Sequence, residues 1–197
     1  RFYYKVEGDS SWTEFSSGTY YSSNSYTISD ITAYCPAGKS IAFDVGYYQS
    51  INYSTYNDSA WAISDNYRIP AMPTLGNIYN QQEAANLDNS DENYFLNKIR
   101  AYFSKDTGIT TVVASIKSSV SNETPTLTSN NTFSSSDSPY INLTTDSTSY
   151  GTPYTFTIVL KRGNSHLETY SFSKTKVRKV NFGDLTLSNY VMRPHLN

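Results

Sequence analysis

The chain has 197 residues, a formal net charge of −2 at pH 7 and only 16% charged residues. It contains 19 tyrosines, but only two histidines and one cysteine. A charge this close to zero excludes the basic field that nucleic-acid binding requires, so we expect no nucleic-acid partner. No apolar run reaches the roughly 18 residues of a membrane span. Because histidine and cysteine are scarce, we also expect no cofactor and no enzymatic activity.

Short strand patterns separated by turn residues fill the first part of the chain. Phe2–Val6, Trp12–Phe15, Tyr26–Ile31 and Ile41–Val45 each predict a strand, and in the last of these the alternation places Asp44 on the solvent side. Turns that recur about every eight to twelve residues are typical of a β-sandwich or a β-barrel. Because the sequence begins inside the first of these patterns and not with Met, we expect a trimmed mature fragment.

The middle of the chain is less regular. Residues 64–93 predict either a long crossing loop or a linker between two modules. Tyr94–Phe103 and Ile109–Ile116 predict a hairpin, because Asp and Gly lie between them. Residues 118–152 are so rich in Ser, Thr and Asn that they predict a surface loop or a frayed edge, with a short strand at 139–143.

The last third carries the clearest alternation. Tyr154, Phe156, Ile158 and Leu160 share one face of a strand, and a turn and further strand patterns follow. The sequence therefore predicts an all-β fold, an antiparallel β-sandwich with long polar loops. We expect a single domain over residues 1–197, with 64–93 as the place where two modules would divide.

The residues that carry catalysis or bind metals are few and scattered. Cys35, His166 and His195 lie far apart in the sequence, which disfavours a catalytic triad or a zinc site. Asp44, Asp58, Asp65 and Glu83 are candidate glycosidase carboxylates, for which a solvated strand or loop position is the simpler interpretation. Asp88, Asp91 and Glu92 offer oxygen ligands for calcium but lack the spacing of an EF-hand loop.

Aromatic residues crowd one short region in the first half of the chain. The candidate binding residues there are Tyr47, Tyr48, Tyr53, Tyr56 and Trp61. Aromatic rings beside amides and carboxylates are typical of protein interfaces and of sugar-binding sites. Ordinary packing at the edge of a sheet is the third interpretation of the same pattern.

Basic residues alternate near the end of the chain. Lys174, Lys176 and Arg178 are expected to face the same way along one strand. This stripe could bind an acidic partner, but lysines on an edge strand more often prevent aggregation between sheets.

Two segments resemble the fimbrillin-like proteins of the Bacteroidetes. Residues 31–37, ITAYCPA, are similar to the AYxP segment of these proteins, and residues 152–160, TPYTFTIVL, are similar to one of their late strands. The resemblance implies β-sandwich modules that are exported as lipoproteins and displayed as pilus subunits or surface adhesins. It also implies that subunits polymerise by exchanging strands.

We therefore expect a non-catalytic structural or adhesive protein at the cell surface or outside the cell. It would be a pilin-like subunit that self-associates or joins neighbouring subunits through strand pairing and Tyr-rich contacts, with a glycan or a host surface protein as further candidate partners. Two alternatives stay open. One is a phage or viral structural protein, such as a virion fibre or decoration protein, and the other is a carbohydrate-binding module.

Overall fold

The computed structural model describes most of the chain and consists of short and medium strands. The described residues are 2–15, 27–45, 47–51, 54–58, 67–81, 93–105, 108–129, 133 and 138–177, with only the backbone of 47–51 and 54–58. In chain order the strands are β1 (Phe2–Val6), β2 (Thr13–Glu14), β3 (Ser40–Val45), β4 (Tyr47–Ile51), β5 (Ser54–Asp58), β6 (Tyr67–Arg68), β7 (Leu75–Asn80), β8 (Tyr94–Phe95), β9 (Lys98–Phe103), β10 (Thr111–Ser118), β11 (Thr126–Ser129), β12 (Tyr140–Asp146), β13 (Pro153–Arg162) and β14 (His166–Lys176). A short 3₁₀ helix, Ile31–Ala33, precedes β3.

The described strands form three four-stranded sheets and one hairpin. Sheet 1 has the order β2-β1-β3-β6, sheet 2 the order β10-β13-β14-β8, and sheet 3 the order β11-β12-β9-β7, while β4 pairs with β5. These pairs are antiparallel except β14 with β8, which is parallel at Thr175 and Lys176. The predicted all-β, antiparallel class is confirmed. None of the residues described belongs to a helix long and apolar enough to cross a membrane.

Sheets 2 and 3 contribute to one hydrophobic core. Along β13 the side chains of Tyr154, Phe156, Ile158 and Leu160 are fully buried, as the alternation predicts. They belong to the same buried cluster as residues of β9 and β12, including Ile99. In a β-sandwich the inner faces of two sheets contribute side chains to a shared core, and this core likewise takes side chains from both sheets. The sandwich arrangement itself stays a prediction.

Sheet 1 has a smaller core of its own. Val6, Ile41, Ile69 and Cys35 are buried together, and partly buried aromatic side chains pack against them. Phe15 lies 4.7 Å from Tyr4 and 4.9 Å from Tyr34, measured between ring centroids. The chain leaves sheet 1 after β6 and enters sheet 3 at β7, so the passage between the two cores lies within residues 69–74.

The predicted hairpin between residues 94 and 116 is wrong. β9 pairs with β12 and β7, whereas β10 pairs with β13, so the two segments belong to different sheets. The described ends of the connection lie at different sheets: Ser104 N–H donates to Thr74 O at 2.9 Å, next to β7, and Thr110 N–H donates to Lys161 O at 2.8 Å, on β13. Alternation within each strand marks its buried face but does not identify its lateral neighbour.

Two predicted loops contain strands. The segment 64–93 includes β6 and β7 in its described part, and the tract 118–152 includes β11 and β12. β12 confirms the short strand expected at 139–143, but it runs to Asp146 and is an interior strand of sheet 3, not a frayed edge. A strand is predicted at Tyr26–Ile31, but residues 27–30 form no strand. Asp30 accepts hydrogen bonds from Thr32 N–H at 2.9 Å and Thr32 Oγ1 at 2.6 Å, a local arrangement that competes with strand pairing.

Three charged residues that the sequence places on exposed strand surfaces are buried in the structure. Lys174 and Lys176 do share a face, but they are only 2% and 3% exposed, so they do not guard an edge. Lys176 donates to Asn97 Oδ1 and lies 5.2 Å from the Phe95 ring centroid, and burial lowers its pKa. Asp44 is 5% exposed and burial raises its pKa, so the solvated position expected for it is wrong. Arg178 lies outside the described residues.

A hydrogen-bonded carboxylate holds the connection between β10 and β11 against β13. Glu123 accepts from Ser118 Oγ at 2.5 Å, from Ser149 N–H at 2.8 Å and from the hydroxyl of the fully buried Tyr154. These hydrogen bonds, that of Ser118 first, lower the pKa of Glu123 to about 2. The buried tyrosine is thereby satisfied at its polar end.

We predict that part of the stability of the fold depends on the ionisation of Glu123. Its pKa in the folded chain lies below the ordinary value of 4.5, so its contribution is complete above pH 4.5 and is lost as the pH falls to about 2. Urea unfolding of the wild type and of Glu123→Gln between these pH values should show a free-energy difference that shrinks with acidification. Parallel pH profiles would contradict the prediction.

We also predict that Phe156→Ala lowers the free energy of unfolding by about 3–5 kcal/mol, because Phe156 is fully buried. Its ring lies 5.3 Å from Phe95 and 5.1 Å from Phe172, between ring centroids. The neighbouring Thr157→Ala is the matched control on the other face, with an expected cost below about 1 kcal/mol. Equal losses in chemical denaturation of the two variants would refute the assignment of faces.

Candidate functional site

The outer face of sheet 3 carries a cluster of polar and aromatic side chains. On β9 the core residues are Ile99, Ala101 and Phe103, so the alternate residues Arg100 and Tyr102 face away from the core. β12 behaves in the same way, since its buried residues alternate with Tyr140 and Asn142. Pairing of Tyr140 with Tyr102 and of Asn142 with Arg100 brings the outward residues of the two strands side by side.

Arg100 is the centre of this cluster. Its Nε donates to Asn142 Oδ1 at 2.9 Å, and its Nη1 donates to the Tyr102 hydroxyl at 3.3 Å. Its guanidinium carbon lies 3.9 Å from the centroid of the Tyr140 ring, close enough for a cation–π interaction. With its amide oxygen turned toward the guanidinium, Gln81 also accepts from Nη2 at 2.9 Å. Arg100 is therefore held in one orientation before any partner arrives.

Tyrosine rings form a row across three strands of the sheet. Tyr79 on β7 lies 5.6 Å from Tyr102 on β9, and Tyr102 lies 5.6 Å from Tyr140 on β12, between ring centroids. The Tyr79 hydroxyl accepts from Asn77 Nδ2 at 2.8 Å. Tyr79, Tyr102 and Tyr140 are partly exposed.

We call Tyr79, Arg100, Tyr102, Tyr140 and Asn142 the Tyr–Arg surface. Its groups can stack, donate and accept hydrogen bonds, and pair with an anion, which is the chemistry that a binding surface needs.

The Tyr-rich site predicted from the sequence lies elsewhere. Tyr47, Tyr48 and Tyr56 belong to the β4–β5 hairpin, in which Tyr48 pairs with Asn57, and only the backbone of this hairpin is described. Tyr53 and Trp61 lie outside the described residues. That site therefore stays a prediction. The sequence alone does not predict the Tyr–Arg surface, because its residues come from three strands that are separated in the sequence.

Cys35 and His166 are brought together, although the sequence separates them widely. His166 Nε2 lies 2.6 Å from the main-chain oxygen of Cys35, not from its sulfur. The Cys35 thiol contacts Pro36 O and Lys39 O at 3.6 and 3.7 Å. Burial is the first cause that raises the pKa of Cys35, and Glu7 and Asp9 add to it. This pair is not arranged as a thiolate and its base, because the sulfur and the imidazole do not meet.

The remaining residues that the sequence offers for catalysis or metal binding form no metal site in the described part of the chain. Within the described part of the chain, no group of three His, Cys, Asp or Glu side chains could hold a metal ion. The acidic loop Asp88, Asp91 and Glu92 lies outside that part, as do Asp65, Glu83 and His195, and the side chain of Asp58 is not described.

No protein-family model, curated protein or solved structure matches the chain.

We predict that Cys35 reacts slowly with a thiol reagent in the folded protein, because it is 1% exposed and its pKa is raised. Labelling with Ellman's reagent should be about 100-fold or more slower in buffer than in urea, since it requires local opening. Rapid stoichiometric labelling of the folded protein would show that the thiol is accessible.

Proposed function

We propose that the protein is a non-catalytic surface protein, a pilin-like or adhesin-like subunit that binds neighbouring subunits through Tyr-rich contacts. The observation that carries this proposal is the Tyr–Arg surface. Tyrosine and arginine are the residues most enriched among the energetically dominant positions of protein interfaces.

Preorganisation supports binding at this surface. Binding usually costs side-chain entropy for each group that becomes immobilised. Arg100 is already restrained by Asn142 and Tyr102 and stacked on Tyr140. Little freedom is left for a partner to remove, so new contacts with this face contribute more of their energy to affinity.

Strand pairing is the second contact in the proposal, and the edge of β14 supports it. Thr175 N–H donates toward β8, to Asn93 O at 2.8 Å, whereas Lys176 N–H donates the other way, to Thr152 O at 3.0 Å. By alternation, the main-chain groups of Thr169, Ser171 and Ser173 face the same side as those of Thr175. Among the strands described, none pairs with these three residues on that side. An extended segment of a neighbouring subunit can add there.

A location outside the cell or at its surface belongs to the same proposal. The low charge and the abundance of Ser, Thr, Asn and Tyr agree with the exported, fimbrillin-like style of sequence.

Carbohydrate binding is the second candidate, and the composition of the Tyr–Arg surface favours it specifically. Tyr102 and Tyr140 offer ring faces to sugar C–H groups, while Arg100 and Asn142 lie beside them with groups that hydrogen-bond to hydroxyls. A protein partner remains our first choice, because no enclosed pocket is needed for a flat contact of this kind.

We predict that Tyr140→Ala weakens assembly by about tenfold or more, because it removes the ring on which Arg100 stacks. The readout is the solution mass by light scattering over a range of protein concentrations, with negative-stain images of the same samples. Tyr67→Ala is the matched control, since Tyr67 is 58% exposed on β6, away from this surface.

Three outcomes separate the candidates. Loss of assembly in Tyr140→Ala with an unchanged Tyr67→Ala supports the subunit interface. A monomer that binds glycans on an array, and loses them on Tyr140→Ala, supports the carbohydrate-binding module. A monomer without glycan binding, or assembly that neither variant changes, contradicts the proposed surface.

A further inference from the structure

The side chain of Lys176, at the end of β14, is buried beside a side-chain amide. Lys176 is 3% exposed, although lysine is almost never fully buried unless it is paired. Its Nζ donates to Oδ1 of Asn97, the residue that directly precedes β9. β14 belongs to sheet 2 and β9 to sheet 3, so the contact connects the two sheets that share the main core.

Main-chain hydrogen bonds hold both residues in this position. Lys176 N–H donates to Thr152 O at 3.0 Å, and Lys176 O accepts from Gly151 N–H at 2.8 Å. Asn97 O accepts from Thr145 N–H at 2.8 Å and from Thr145 Oγ1 at 3.2 Å. Because both backbones are fixed, the amine and the amide stay within reach of each other, which is the condition for a fast intramolecular reaction.

The surroundings of the amine favour its nucleophilic form. Nζ lies 5.2 Å from the centroid of the Phe95 ring and 5.9 Å from that of the Tyr150 ring. Burial lowers the pKa of Lys176, and the charge of Asp146 opposes this effect without cancelling it. A lower pKa raises the fraction of uncharged amine, and the uncharged amine is the form that attacks a carbonyl carbon.

The contact with Oδ1 also brings the amine to an electrophile. Cγ of Asn97 is bonded directly to the oxygen that Nζ contacts, so it lies one covalent bond beyond the hydrogen bond. A carboxamide reacts slowly with amines in water, but proximity and orientation within one folded chain remove much of that barrier.

A carboxylate is placed near both groups. The charge of Asp146 acts on Lys176, and Asp146 directly follows Thr145, which is hydrogen-bonded to Asn97 O. Ser147 N–H donates to Asp146 Oδ1 at 2.7 Å, which restrains the carboxylate. A carboxylate in this place is able to carry a proton between two nitrogen atoms.

We propose that Lys176 and Asn97 form an intramolecular isopeptide bond in the folded chain. Nζ attacks Cγ, the new Nζ–Cγ bond replaces the Cγ–Nδ2 bond, and one proton passes from Nζ to Nδ2 by way of Asp146. Nδ2 leaves as ammonia, so no oxidant, reductant or other co-reactant takes part. The bond joins β14 covalently to the start of β9 and resists separation of sheets 2 and 3. It does not depend on binding at the Tyr–Arg surface.

Intact-mass spectrometry of the purified full chain tests the proposal. The wild type should be lighter than its sequence mass by one ammonia molecule. A tryptic digest should then contain residues 69–98 and 175–178 as one cross-linked species, because trypsin does not cleave after an acylated lysine. The full sequence mass, or recovery of these two peptides as separate species only, would overturn the proposal.

Two variants identify the atoms that react. Lys176→Arg removes the nucleophile but keeps the charge, and Asn97→Ala removes the electrophile, so both should have their full sequence mass. Lys174→Arg is the matched control, since Lys174 is 2% exposed on the same face of β14, and it should keep the loss of ammonia. If Lys176→Arg does not fold, Asn97→Ala carries the test, because Asn97 is exposed.

A succinimide at Asn97 also loses ammonia, and the variants distinguish it from the cross-link. The succinimide forms without Lys176, so an equal mass loss in Lys176→Arg would overturn the isopeptide assignment. Asp146→Asn tests the proton carrier, and its purified chain should contain an unlinked fraction with the full sequence mass. Complete linkage in Asp146→Asn would overturn the role of Asp146.

Discussion

Strand β13 presents Tyr154, Phe156, Ile158 and Leu160 to the core with no exposure, and the main core and the order of sheet 2 depend on this constraint. β10 and β14 pair with β13 on its two sides, so its register sets the inward faces of sheet 2. The same strand ends at Arg162, which binds the carbonyls between β6 and β7. One strand therefore organises the main core and also holds the passage that leads from sheet 1 to sheet 3.

The Tyr–Arg surface follows from the same alternation. Burial of Ile99, Ala101 and Phe103 obliges Arg100 and Tyr102 to face outward, where β12 places Tyr140 and Asn142 beside them. The turn after β13 brings His166 to the carbonyl of Cys35.

The sequence predicts strands well where large apolar residues alternate strictly. β1 and β13 lie where the pattern places them, and the all-β class follows. At β12 it finds the strand at 139–143 but not its length or its interior position, because the outward Tyr140, Asn142 and Thr144 give the segment the polarity of a surface loop. Lateral neighbours are not encoded locally either, so the order of sheet 3, and with it the Tyr–Arg surface, was not predictable. The contact of Cys35 with His166 escapes sequence reasoning for the same reason.

In the proposed assembly, the Tyr–Arg surface becomes covered when one subunit joins the next. Radical footprinting of the wild-type tyrosines, read by mass spectrometry in dilute and in assembled samples, tests it most directly. If assembly buries this surface, Tyr79, Tyr102 and Tyr140 lose labelling on assembly, while the exposed Tyr67 keeps it. If all three tyrosines stay labelled as in the dilute sample, the Tyr–Arg surface is not the interface between subunits.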